Sequence, residues 1–170
     1  MELPKRKPNR LVGYDYSQPG VYFITFCTHN RKCILSDVVV GAIHELPEIK
    51  LTACGKAVDE VIGLVPDRFN VEIHSCTIMP NHVHMLLEIK DSDILRAIRE
   101  SPLHGRKVTD KIVGYIKMNS SKRIHSFYPS KNIWQRSYHD HIIRDENDFL
   151  NIWNYIEFKQ CKWQADKYYK

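Results

Sequence analysis

Met79-Pro80-Asn81-His82-Val83-His84-Met85-Leu86-Leu87-Glu88-Ile89 is the stretch that decides the architecture. Pro80-Asn81 marks a turn. After it the residues alternate, with Val83, Met85, Leu87 and Ile89 facing one way and His82, His84, Leu86 and Glu88 the other, which predicts a strand over His82 to Ile89. Just upstream, Val71 to Ile78 is a second apolar run, so two adjacent strands are expected to meet at the turn.

Working outward, Val21 to Thr28 is rich in β-branched and aromatic residues and predicts a buried first strand, preceded by a proline-containing basic arm over residues 1–20. Arg31 to Lys50 is less regular, with Gly41 and Pro47 between short apolar runs, as a hairpin-like insertion reads. Between Gly55 and Val65, Val58, Val61, Ile62 and Val65 recur at helical spacing and stop before Pro66. Lys107 to Ser126 predicts a second helix and Ile133 to Ile143 a strand. Asp145 to about Lys162 predicts a last helix with acidic residues in its first turn. Strand, helix, two strands, helix, strand is the order of a ferredoxin-like α+β sandwich: an antiparallel sheet with helices on one face, the other face free to carry a site, and an added C-terminal helix. A length of 170 residues suits one such domain over 21–170.

The composition is that of a soluble globular chain, 43% apolar and 26% charged, with no apolar run long enough for a membrane span and no apolar stretch behind the basic N-terminus as a secretory signal needs. A cytoplasmic protein without a membrane partner is expected. Five scattered cysteines, Cys27, Cys33, Cys54, Cys76 and Cys161, contain no C-x-x-C pair and are expected to be reduced and mostly buried. The net charge of +5 is unevenly spread, with Lys5, Arg6, Lys7 and Arg10 in one cluster and Lys111, Lys117, Lys122 and Arg123 in another. Together with Arg136 and Lys159 these are the candidate contacts to a nucleic-acid backbone.

Two histidines one residue apart on a strand share a face and can hold one divalent metal through neutral imidazole nitrogens. Spacing alone leaves a second reading open, that of hydrogen-bonded structural histidines. The helical metal motif H-E-x-x-H is absent.

The Met79–Leu87 block resembles the HUH motif of small insertion-sequence transposases, and most closely that of their REP-associated tyrosine transposase branch. Further stretches agree: Gly13-Tyr14-Asp15-Tyr16, Pro19 through Thr25, Ile133-Trp134-Gln135-Arg136-Ser137-Tyr138, Ile142 through Glu146, and Tyr155-Ile156-Glu157. The resemblance implies a homodimer that recognises hairpin-forming DNA and nicks a single strand using a divalent metal, Mg²⁺ or Mn²⁺, and one tyrosine nucleophile. That role falls on Tyr155, with His82 and His84 as metal ligands. In some relatives the tyrosine helix of one subunit completes the site of the other. No nucleotide cofactor is expected, because a phosphotyrosine ester conserves the energy of the broken bond.

At helical spacing Asp148, Asn151, Tyr155 and Lys159 form a polar stripe, with Phe149, Ile152, Ile156 and Trp163 on the packing side. Relatives commonly place an amide one turn after the tyrosine as a further metal ligand. Here that position is Lys159, whose ammonium has only donors. Three readings stay open: Gln160 is the third ligand through a local shift of the helix, Lys159 supplies positive charge near the phosphate and tyrosine, or the site is weakened to the two histidines, which is the reading preferred from the sequence. The competing function is a hairpin or single-stranded DNA-binding module of the same fold that does not cleave. An RNA-binding sheet has less support, since the aromatic surface signature of such domains is missing.

Overall fold

The computed structural model describes residues 18–40, 46–90, 107–130, 132–166 and 168–169. The basic cluster at Lys5, Arg6, Lys7 and Arg10, the rest of the arm up to Ser17, and Gly41 lie outside them. Four strands form the main sheet: β1 (Gly20–Cys27), β4 (Val71–Met79), β5 (His82–Ile89) and β6 (His139–Ile142). Their order is β4-β5-β1-β6, with every neighbouring pair antiparallel. β2 (Ser36–Val39) and β3 (Glu48–Leu51) make the separate hairpin expected of the insertion. The helices are α1 (Ala53–Gly63), the short α2 (Val65–Phe69), α3 (Val108–Ile124) and α4 (Glu146–Glu157). This is the ferredoxin-like arrangement.

The alternation read from β5 sorts the two faces. Val83, Met85, Leu87 and Ile89 join Tyr22, Ile24 and Phe26 of β1 in the main core, against Val58, Val61 and Ile62 of α1 and Ile112, Val113 and Ile116 of α3. α1 begins where Thr52 accepts a hydrogen bond from Gly55 N–H at 3.1 Å. Gly55 is required at that turn for space, since a Cβ there would sit 1.9 Å from the Leu35 carbonyl oxygen. The close approach seats the segment leading into β2 on the start of α1, where Thr52 N–H also donates to Leu35 O.

The face bearing the histidines carries the added C-terminal helix: Ser75 donates to Glu157 of α4, His74 packs edge-on to Phe149, and His141 bonds Asp148. Burial of the apolar side of α4, with Ile156 fully inside, is the driving force. Two element boundaries are corrected. The strand expected over Ile133 to Ile143 shrinks to His139–Ile142 and one bridge between Thr28 and Trp134. Between them the carbonyls of Gln135 and Ser137 turn to the Lys117 ammonium instead of a neighbouring strand. The last helix ends at Glu157, not Lys162, and Lys159–Ala165 continues as tighter 3-10 turns.

All five cysteines are free thiols, yet only Cys27 and Cys54 are buried. Among the described residues no helix is long and apolar enough to cross a membrane.

Candidate active site

The site sits where central strand β5 meets α4. In the register between β1 and β5, Thr25 lies opposite His84 and Cys27 opposite His82. On the other side Thr77 pairs with His84 and Met79 with His82. A register shift in β4 between Ile73 and Ser75, with His74 as the extra residue, brings this about. Both histidines are inside, His82 at 0% and His84 at 1% exposure.

Each ring is held from behind. His82 Nδ1 lies 2.8 Å from Asn81 Oδ1. The Asn81 amide has a determined orientation, because its Nδ2 donates to Tyr168 O at 2.7 Å and to Arg31 O at 3.3 Å, and carbonyls only accept. His82 Nδ1 is therefore the donor to Oδ1, and the neutral ring presents Nε2 as a lone pair. His84 Nδ1 lies 2.7 Å from the Thr25 hydroxyl, which can give or take the proton. His84 stacks on Phe23 with ring centroids 5.2 Å apart.

The two Nε2 atoms stand 3.0 Å apart. Either a proton bridges them or a cation takes both lone pairs, since two bare lone pairs at this distance repel. Metal–nitrogen bonds of roughly 2.1 Å at about a right angle separate two ligand nitrogens by about 3 Å, so the pair suits adjacent positions on one divalent ion. Tethering of both Nδ1 atoms from behind is the arrangement metal-binding imidazoles use. Among the described residues no group of three His, Cys, Asp or Glu side chains could hold a metal ion.

α4 delivers Tyr155. Its Oη lies 3.4 Å from His84 Nε2, and its ring meets His84 with centroids 5.3 Å apart and Phe23 edge-on at 6.0 Å. The tyrosine stays 37% exposed and lines a groove of about 390 Å³ with Asn151, Asn154 and Phe158. Lys159, one turn on, is 5% exposed. Its ammonium donates to Tyr155 Oη, sits 4.1 Å from the Tyr155 ring centroid, and lies 2.5 Å from Asp166 Oδ2. Tyr168 covers His82, ring centroids 4.6 Å apart, and carries the Arg31 guanidinium 5.1 Å from its own ring centroid.

Thus the structure brings His82, His84, Tyr155 and Lys159 together. Gln160 sits apart, in a groove of about 610 Å³ with Val38, Val40 and Tyr169 beside the β2–β3 hairpin. Lys111, Lys122 and Arg123 ride on α3, in the helical layer across the sheet from the histidines, and Arg123 pairs with Glu60. Arg136 is exposed on the segment before β6. Lys117 is a structural cation: its ammonium bonds Gln135 O and Ser137 O at 2.9 Å each, and burial pulls its pKa down to about 8. Thr25, Asn81, Arg31, Asp166 and Tyr168 were not foreseen as site residues. Of these, Thr25 alone carries a local signal, as a polar residue interrupting the apolar run of β1.

A ferredoxin-like sheet with a His-x-His pair on a central strand, and a helix-borne tyrosine set against it, defines the class. No protein-family model matches the chain. An uncharacterized protein of Haemophilus influenzae is 30% identical over 174 residues, covering 96% of this chain and 93% of the relative. A second protein of that organism, assigned as a REP-associated tyrosine transposase, is 26% identical over 149 residues, covering 87% of this chain and 74% of its own. Among solved structures, a REP-associated tyrosine transposase bound to a REP hairpin superposes with a TM-score of 0.55 at 19% identity, covering 84% of this chain and 67% of the other, a likeness of fold. The chain is thus similar in sequence to one protein bearing that family's name and shares the fold of another.

Proposed function

We propose that this protein nicks and rejoins single-stranded DNA at hairpin-flanked sites through a covalent phosphotyrosine intermediate on Tyr155. The observation that carries the reading is Tyr155 Oη at 3.4 Å from His84 Nε2, beside a second imidazole nitrogen 3.0 Å further on. A phenol of reference pKa near 10 needs a cation nearby to attack at neutral pH, and the Lys159 ammonium already donates to its oxygen. Tyr155 Oη gives up its phenolic proton and attacks the scissile phosphorus, the new O–P bond forms as the bond to a deoxyribose oxygen breaks, and the departing oxygen takes up one proton, so that protons balance. Attack on the phosphotyrosine by a DNA hydroxyl reverses the step and reseals a strand, so no nucleotide cofactor is consumed.

His82 and His84 would hold a divalent cation, Mg²⁺ or Mn²⁺, which when bound polarises the phosphate as a Lewis acid. Asn81 and Thr25 keep the two rings turned for that purpose. The relative of known structure holds a REP hairpin, and a hairpin with single-stranded flanks is the substrate class proposed here. Lys111, Lys122, Arg123, Arg136 and the basic arm are proposed backbone contacts. The homodimer belongs to the same proposal, as does a cytoplasmic, nucleoid-associated location.

The test uses end-labelled single strands carrying a hairpin, incubated with Mg²⁺ or Mn²⁺. Cleavage by the wild type, lost in His82→Ala and in His84→Ala, is the expected result. Tight hairpin binding without cleavage under any divalent ion would replace the proposal with the binding-module reading.

A further inference from the structure

α4 carries more apolar surface than packing on the sheet uses. Ile156 is turned inward, but Phe158 stays 49% exposed and Trp153 38%, on either side of the half-exposed Tyr155. Aromatic surface left in water on one side of a helix marks a place where something else lies down. Phe158 forms a wall of the groove of about 390 Å³ that Tyr155 also lines. Asn154 stands one turn before Phe158 and Asn151 one turn before Tyr155, on the same face. Both are exposed, and among the described residues neither side-chain amide has a hydrogen-bond partner. Lys162 adds an exposed ammonium to the lining, and Lys159 a buried one that donates to Tyr155 Oη.

We propose that this groove takes the unpaired base adjoining the scissile phosphate, with Phe158 as the stacking platform, Asn151 and Asn154 reading the base edge, and Lys162 contacting a neighbouring phosphate. The inference rests on the strand-cleavage proposal above and deepens it. The reaction fixes where the DNA lies: the phosphorus must reach Tyr155 Oη, so the nucleotide bonded to it falls beside a groove that the same tyrosine lines. A nucleobase brings a π-face for the phenyl ring, donors and acceptors for the amides, and an attached anion for the ammonium groups. A base inside a duplex cannot enter, because its faces are covered by its neighbours and its pairing edge by its complement. The groove thereby selects an unpaired flank beside the hairpin. The apolar surface of a second copy is a poorer occupant, since it would take two amides and an ammonium out of water without partners.

Abasic substitution gives the test. A hairpin-bearing strand carries a single abasic residue at each flank position in turn, and its affinity for the full-length protein is followed by fluorescence anisotropy. One position, next to the mapped nick, is expected to cost the wild type about tenfold in affinity. Phe158→Ala is expected to lose about tenfold on the intact strand and then to be indifferent to the abasic residue, whereas Phe158→Tyr keeps wild-type behaviour. The Asn151→Ala/Asn154→Ala double variant should keep the abasic penalty but bind all four bases at that position equally. Lys162→Ala should reduce the slope of log affinity against log salt by about one. Circular dichroism records folding, and sedimentation the oligomeric state. No sensitive position in the wild type, or an abasic penalty that persists in folded Phe158→Ala, overturns the proposal. Dissociation of a dimer by Phe158→Ala with DNA affinity unchanged assigns the face to a second copy and also overturns it. Because binding is read without cleavage, a wild type that shows the Phe158-dependent position but never cuts supports the base groove and removes the cleavage proposal alone. A wild type that binds no single strand overturns both.

Discussion

Asn81→Ala separates orientation from ligation, because Asn81 never meets the metal position yet connects three parts of the site. Its amide accepts from His82 Nδ1 at 2.8 Å and donates to Tyr168 O at 2.7 Å and Arg31 O at 3.3 Å. The first two are strong contacts and the third is marginal. Asn81 is completely buried, so truncation strands a histidine N–H and a carbonyl without water at hand. At about 1 kcal/mol for each good bond, plus part of the cost of the stranded groups, the loss is about 2–3 kcal/mol. For a domain of this size that lowers the melting temperature by about 5–10 °C. Loss of the Nδ1 partner also frees the His82 ring to rotate, and such outer partners are worth about 10–100-fold in metal affinity. Thermal unfolding and Mn²⁺ titration read the two effects. Asn81→Asp divides them, since a carboxylate still accepts from His82 but cannot donate to Tyr168 or Arg31: melting falls while Mn²⁺ affinity holds. A melting temperature within about 2 °C of wild type for Asn81→Ala, with unchanged Mn²⁺ binding, would refute the reasoning.

Gly55→Ala drives a methyl to 1.9 Å from a backbone oxygen that cannot swing aside, so an overpacking loss of about 2–3 kcal/mol is expected in urea unfolding; a neutral substitution would show that the Leu35 segment is loosely seated. Lys117, with its folded pKa near 8 against an ordinary 10.5, is protonated in both states below pH 8, but between pH 8 and 10.5 the unfolded chain holds the proton and the folded chain does not. Wild-type stability should therefore rise with pH across that window relative to Lys117→Met, and a flat difference would contradict the burial argument. A hairpin with single-stranded flanks should bind more tightly than a blunt random duplex at physiological salt, measured by fluorescence anisotropy; equal affinity would count against the proposed substrate.

The histidine strand was legible because two polar residues on one parity of an otherwise apolar run leave little choice of face. α1 was legible for the same reason at the helical period, while its cap, Thr52, was found only in the structure. The end of α4 was not. Nothing in the local pattern from Phe158 to Ala165 forbids a helix, and the change to tighter turns accompanies tertiary contacts of Lys159 with Asp166 and of Trp163 with His82. β6 was overextended because Ile133 and Trp134 are apolar and buried, as strand residues are. Trp134 is buried instead by α3, its Nε1–H donating to Ser120 at 3.0 Å. Asp166 was out of reach for a similar reason: a lone acidic residue eleven positions after the tyrosine has no spacing rule, and only folding of the 3-10 segment turns it toward the histidines.

Mass-spectrometric mapping of a covalent protein–DNA adduct tests the central claim most directly. Wild-type protein is incubated with hairpin-bearing single-stranded DNA and Mn²⁺, denatured, digested with protease and nuclease, and searched for a peptide carrying a nucleotide phosphate. The account predicts that mass on the peptide containing Tyr155, and none from Tyr155→Phe, which keeps its hairpin affinity because only the nucleophilic oxygen is gone. An adduct on another residue, or one that persists in Tyr155→Phe, would contradict it.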